Sequence, residues 1–106
     1  MSGTRRQKDI RKALRLFAPR IPFADAEPVL ADAKAPHLRH LPPSLALWLA
    51  LVAHVRHAHS DYDALLNDGY DRDAARFFAL DAINETLLSW GATRQVSAEE
   101  EEIGGE

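Results

Sequence analysis

The chain contains no cysteine. Disulfide bonds, thiolate metal sites and thiol catalysis are therefore excluded together. Long apolar runs are missing as well. The longest stretch free of charge and histidine runs from Leu41 to Ala53, short of the roughly 18–20 apolar residues that a membrane-spanning helix needs. The opening residues, Met1-Ser2-Gly3-Thr4-Arg5-Arg6, lead into charged sequence with no apolar stretch behind them. No secretory leader is expected on that ground, and the expectation is a cytoplasmic protein with no membrane partner. Glycine is scarce, with five in all, and no glycine-rich phosphate loop can be assembled from them. Neither internal repeats nor the period-two alternation of strands occurs anywhere. What is present is 106 residues of ordinary hydrophobic content, 46%, enough to bury a core and about the size of one domain.

Helical periodicity accounts for that core. Thr4 reads as the N-cap of a first helix over Arg5–Ala18, with Ile10, Ala13, Leu14 and Phe17 on its buried face. Pro19 and Pro22 end it and enforce an extended connection. Asp25 reads as the cap of a short second helix over Ala26–Lys34, which places Pro28 in the first turn and Val29 and Leu30 in the core. Residues 35–43, with three prolines, read as a loop. A third helix over Leu45–His57 is apolar almost all round, which demands cover on several sides and puts it at the centre of the fold. Ser60 and Asp63 resemble a capping box opening a short fourth helix, Asp61–Asn67, with Tyr62, Leu65 and Leu66 inward. Gly69 stops it. Asp71 caps a fifth helix over Arg72–Trp90, with Ala75, Phe78, Ala79, Ala82, Ile83, Thr86, Leu87 and Trp90 inward, and Gly91 ends it. The expected class is all-α: a compact bundle of about five helices, three longer and two short, around a central apolar third helix. The helical domain is expected over residues 1–92. Residues 93–106, with four consecutive glutamates at Glu99–Glu102, read as a flexible, disordered acidic C-terminal tail.

A net charge of −3 conceals an asymmetry. Residues 1–20 carry seven bases and one acid, whereas residues 21–106 carry six bases and fifteen acids. Arg5, Lys8, Lys12 and Arg15 line up on the outer side of the first helix with Arg11 beside them, a row about 15 Å long at 1.5 Å per residue. Such a row can contact several phosphates of a nucleic acid strand and displace their counterions. The plainer reading is a solvated face that keeps an amphipathic helix in solution. No RNA-recognition aromatic pattern or zinc finger accompanies it, and Pro19 and Pro22 spoil the tight turn of a helix-turn-helix. The acidic tail could fold back on this row as an internal competitor.

Histidine clusters at His37, His40, His54, His57 and His59. His54 and His57, three apart, can share a helix face, and Asp61 and Asp63 follow. Imidazole and carboxylate are ligands for zinc and its neighbours. No metal-ligand signature is complete, however, so no metal or other cofactor is assigned, and His54, His57 and His59 are the residues such a site would draw on. In the plainer reading His57 and His59 enjoy the partial negative charge of a helix C-terminus, and His54 is a satisfied boundary residue. Arg56, His57, Tyr62 and Asp63 form a further polar cluster. It reads as a network fixing the angle between the third and fourth helices, with Arg56 pairing to Asp63 or Asp61 and Tyr62 packing inward. An acid–base site with His57 as base is the other reading. No serine elbow or calcium loop is present, and no catalytic residue is assigned.

One set of residues carries a family resemblance. Val52-Ala53-His54-Val55-Arg56-His57, Ser60-Asp61-Tyr62-Asp63-x-Leu65-Leu66, Gly69-Tyr70-Asp71-x-Asp73-x-Ala75-Arg76 and Trp90, with Phe17-x-Pro19-Arg20-Ile21-Pro22 upstream, resemble a family of small bacterial domains with fungal relatives and no known function. The resemblance covers most of residues 5–91 and implies no activity, so it transfers no role to any residue. The residues themselves point to a small non-enzymatic binding module whose basic first helix meets a polyanion, nucleic acid first. The alternative is a structural or protein-interaction domain that forms a homodimer through the third helix.

Overall fold

The computed structural model describes residues 4–97, which form five α-helices and one short 3-10 turn. The expected acidic run at Glu99–Glu102 lies outside the described residues. No described helix is long and apolar enough to cross a membrane.

Helix α1 spans Arg5–Phe17. Thr4 caps it as the spacing predicts: the Thr4 hydroxyl accepts from Gln7 N–H at 3.1 Å, and the Gln7 side chain accepts from Thr4 N–H at 3.1 Å. This reciprocal pair satisfies two otherwise orphaned donors. Ile10, Ala13 and Leu14 are buried, and Phe17 packs its ring 5.1 Å from Trp48.

Helix α2 spans Phe23–Ala33 and begins three residues before the expected start. Pro22, not Asp25, is its N-cap, and the Pro22 carbonyl accepts from Asp25 N–H and Ala26 N–H at 3.0 and 2.9 Å. Proline is locked near the extended geometry that a helix entry needs, so it starts the helix without any side-chain cap. Two corrections follow. Pro28 falls in the second turn, and Asp25 lies inside the helix with its carboxylate released from capping. Between α2 and the next helix, Pro36–Leu38 forms the 3-10 turn. Arg6 reaches across from α1 and donates to the carbonyls of Leu41 at 2.8 Å and Leu38 at 3.1 Å.

Helix α3 spans Pro43–Ala58 and packs against all four other helices. Leu47, Leu51 and Val55 are wholly covered, and Trp48 and Val52 nearly so. Its central position is the one its all-round apolarity demands. Helix α4, Tyr62–Asn67, opens one residue later than expected. Ser60 does not form a capping box with Asp63. Its hydroxyl instead donates to the Arg56 carbonyl and accepts from Tyr62 N–H, bridging the bend between α3 and α4.

Helix α5 spans Arg72–Ser89, capped by Asp71, which accepts from Ala74 N–H at 2.8 Å. Its buried line is Ala75, Ala79, Ile83 and Leu87, a single ridge at intervals of four. Phe78, expected inward, is 59% exposed and packs on Phe77 and Tyr70 at the surface. The buried ridge runs through Ala75 and Ala79, small side chains that allow close helix packing, and Phe78 falls to the side of it.

Gly69 and Gly91 both adopt positive φ, 99° and 89°. Gly91 is the tighter of the two, since a Cβ there would meet Pro19 Cγ at 2.9 Å. Beside it, Arg20 N–H donates to the Trp90 carbonyl at 2.8 Å, pinning the α1–α2 connection to the end of α5. The chain then stays docked. Val96 is buried, and Asn84 both accepts from its N–H at 2.8 Å and donates to its carbonyl at 3.1 Å. The Arg94 guanidinium lies 4.1 Å from the centre of the Trp48 ring. This segment falls beyond residue 92, where the sequence pattern ends the helical domain.

Candidate functional site

The early start of α2 and the late end of α3 together build a cluster that no single stretch of sequence displays. Asp25 projects from the first turn of α2. His54 stands one turn before the end of α3, and His59 is the residue that caps it. Both Nε2–H groups donate to the same Asp25 oxygen, each at 2.7 Å. Five positions apart on a continuous helix, the two rings would diverge by about 140° at 100° per residue. They converge because the chain leaves the helix at His59, whose φ and ψ of −130° and 20° turn it back. The rings meet edge to face with centroids 5.9 Å apart, and the His59 ring also meets Trp90 edge to face at 5.4 Å.

The side chains of Asp25, His54 and His59 are 17%, 14% and 36% exposed, sheltered on the α2 and α3 sides and open beside His59. Burial works to raise the Asp25 carboxyl. The hydrogen bonds and charge of His59 and His54 outweigh it and hold the group below its ordinary value of 3.8. Two imidazole nitrogens and one carboxylate oxygen, all within 4.8 Å of one another, are also a donor set for a metal ion.

His57 takes no part in this cluster. Its Nδ1–H donates to Asp63 at 2.8 Å on the open surface, and its ring meets Tyr62 edge to face at 5.3 Å. Arg56 is buried, with its guanidinium 5.3 Å from the centre of the buried Tyr62 ring. Arg56, His57, Tyr62 and Asp63 are thus brought together as a joint between α3 and α4, in which His57 is a partner of Asp63.

The model of an uncharacterized conserved protein family, DUF2293, matches residues 13–91. The chain belongs to that family. No curated protein and no solved structure matches the chain. The DUF2293 match contains Asp25, His54, His59 and Trp90, together with the whole Arg56–Asp63 joint. It begins inside α1, so of the basic row only Arg15 falls within it.

That basic row lies where the periodicity puts it. Arg5, Lys8, Lys12 and Arg15 are exposed, and Arg11 is half-buried. None of the five is in an ion pair among the described residues. Arg6, by contrast, is committed to the loop before α3. Asp25 is the functional candidate that sequence reasoning missed, because its N-cap assignment consumed its carboxylate. The signal that could have found it is Pro22, which can start a helix unaided and so frees the acid three residues later.

Proposed function

We propose that this DUF2293 domain is a non-enzymatic binding module whose α1 contacts a polyanion, nucleic acid first, through Arg5, Lys8, Arg11, Lys12 and Arg15. The observation that supports this is the division of labour on α1. One face is spent on the core through Ile10, Ala13, Leu14 and Phe17, while the other holds a row of cations with no acidic partner among the described residues. Cations so placed gain most from a ligand that brings its own negative charge, because neutralising phosphates releases condensed counterions. A cytoplasmic location accords with such a partner and belongs to the same proposal. A homodimer through α3 has less support. The large apolar residue that α3 leaves most open is Leu45, at 38% exposure, and the rest of its surface is spent within the chain.

The test is titration of labelled duplex DNA and RNA at two salt concentrations. Four phosphate contacts predict affinity falling by about 100-fold between 50 and 200 mM salt. Reversing Lys8, Lys12 and Arg15 to glutamate should abolish binding and flatten that dependence. Absence of binding at low salt, or binding indifferent to the reversal, would sink the reading.

A further inference from the structure

We propose that Asp25, His54 and His59 form a binding site for a first-row divalent cation, with zinc as the best fit, held by three protein ligands with a fourth position open to water. The chemistry of the donors comes first. Zinc is bound by imidazole nitrogen and carboxylate oxygen at about 2.0–2.2 Å, and sites with three protein ligands keep the remaining tetrahedral position for water or another small ligand. Two histidines and one acid satisfy that count without cysteine, which the chain lacks.

The geometry is close to what a cation requires. Ligand atoms around a tetrahedral zinc stand about 3.3 Å apart, as bonds of that length dictate. Here each Nε2 lies 2.7 Å from the Asp25 oxygen, and all three atoms fall within 4.8 Å. A cation takes the place of the two Nε2 protons, which shift to Nδ1 or leave to water. Each Nε2–carboxylate distance then opens by about half an ångström, and the two Nε2 atoms, within 4.8 Å of each other, close to about 3.3 Å by rotation of the exposed His59 ring. The supports are already in place. Asp25 and His54 stand on helical backbone, and the ring of His59 is held edge-on by Trp90. Access is retained too, because His59 is the most exposed of the three. The neighbouring His57–Asp63 pair provides a contrast within the same segment. It is 52% and 60% exposed and has no third donor among the described residues. The competing account is that the carboxylate simply ties α2 to α3.

The two accounts separate on the full-length chain titrated with Zn2+ and, as a coloured reporter, Co2+. The site predicts one equivalent bound, a visible cobalt spectrum of a four-coordinate nitrogen–oxygen site, and loss of that spectrum on adding Zn2+. His54→Ala, His59→Ala and Asp25→Asn should each weaken Zn2+ binding by at least the roughly 10–100-fold that even an outer-shell change costs. His57→Ala and His37→Ala should leave it unchanged. Nitrogen NMR of the unaltered chain avoids any dependence on a variant's folding: Zn2+ should move the Nε2 resonances of His54 and His59 and spare those of His57. The proposal is overturned by the absence of saturable one-to-one binding, by imidazole shifts that spread over His37, His40 and His57, or by binding that persists in folded His54→Ala and His59→Ala. Nothing in this test draws on α1, so the chain with Lys8, Lys12 and Arg15 reversed should bind Zn2+ as the unaltered chain does.

Discussion

The outer face of α1 and the junction of α2, α3 and α5 are both polar, yet they are built on opposite principles. On the outer face of α1 the cations sit on long side chains, four of them exposed and Arg11 half-buried, without an ion pair in the described fold. At the junction Asp25 holds two imidazoles, one of those packs on Trp90, and the Trp90 carbonyl takes the N–H of Arg20. A row of independent charges can be altered one at a time with little consequence for folding. A cluster whose members position one another ties whatever it binds to the stability of the fold. The comparison teaches where function and folding can be separated experimentally in this protein and where they cannot.

The sharpest way to break the junction is Gly91→Ala. Left-handed backbone costs a residue with a Cβ about 1–2 kcal/mol, and forcing that Cβ against Pro19 adds about 1–3 kcal/mol. Chemical denaturation should therefore register a loss of about 2–5 kcal/mol, as those two costs combine. Gly69→Ala has equally unfavourable backbone but open space around its Cβ, so only the first cost should apply. Equal losses at the two glycines would show that the Pro19 contact is not tight.

Asp25→Ala comes next, at about 1–3 kcal/mol for removing an acceptor with two partners. Its effect should depend on pH. A carboxyl held below 3.8 in the folded chain stabilises fully above that value and loses its contribution as pH falls through the depressed folded value. The stability difference between the unaltered chain and Asp25→Ala should thus be constant near neutrality and shrink below pH 3.8. A difference that persisted at the acid end would mean that the carboxylate contributes through packing and not through its charge.

His57→Ala should cost no more than about 1 kcal/mol, the usual worth of an exposed ion pair. The smallest effect belongs to α1: reversing Lys8, Lys12 and Arg15 together should change stability by about 0.5 kcal/mol or less. A large loss there would mean that the row is tied into the fold after all, and the contrast between the two regions would fail.

The part of this architecture that was legible in the sequence is the part governed by local periodicity. Ile10, Ala13 and Leu14 announce the buried face of α1, and the density of leucine and valine in α3 announces its central position. Gly69 and Gly91 mark their stops because left-handed backbone has few other tenants. The cluster at Asp25 was not legible, for two physical reasons. An acid followed by a helical run reads as a cap, although proline upstream can do that work. A spacing of five between histidines is the wrong interval for a shared helix face, and only the termination of α3 at Ala58 brings the rings together. Spacing of three favoured His54 with His57, but His57 turns to Asp63 across the bend. Phe78 was misplaced for a related reason: periodicity gives the face of a helix but not how closely the neighbour on that face approaches.

The pairing of Asn84 with Val96 has a practical meaning for anyone handling this protein. A side-chain amide that meets both the N–H and the carbonyl of one distant residue does for a single position what a neighbouring strand does for many. It fastens the segment after α5 at one point. A fragment cut at residue 92, where composition changes, would discard Val96 from beneath α5 and Arg94 from over the Trp48 ring. Expression boundaries, purification tags and fusion partners therefore belong beyond Ser97, on the far side of that fastening.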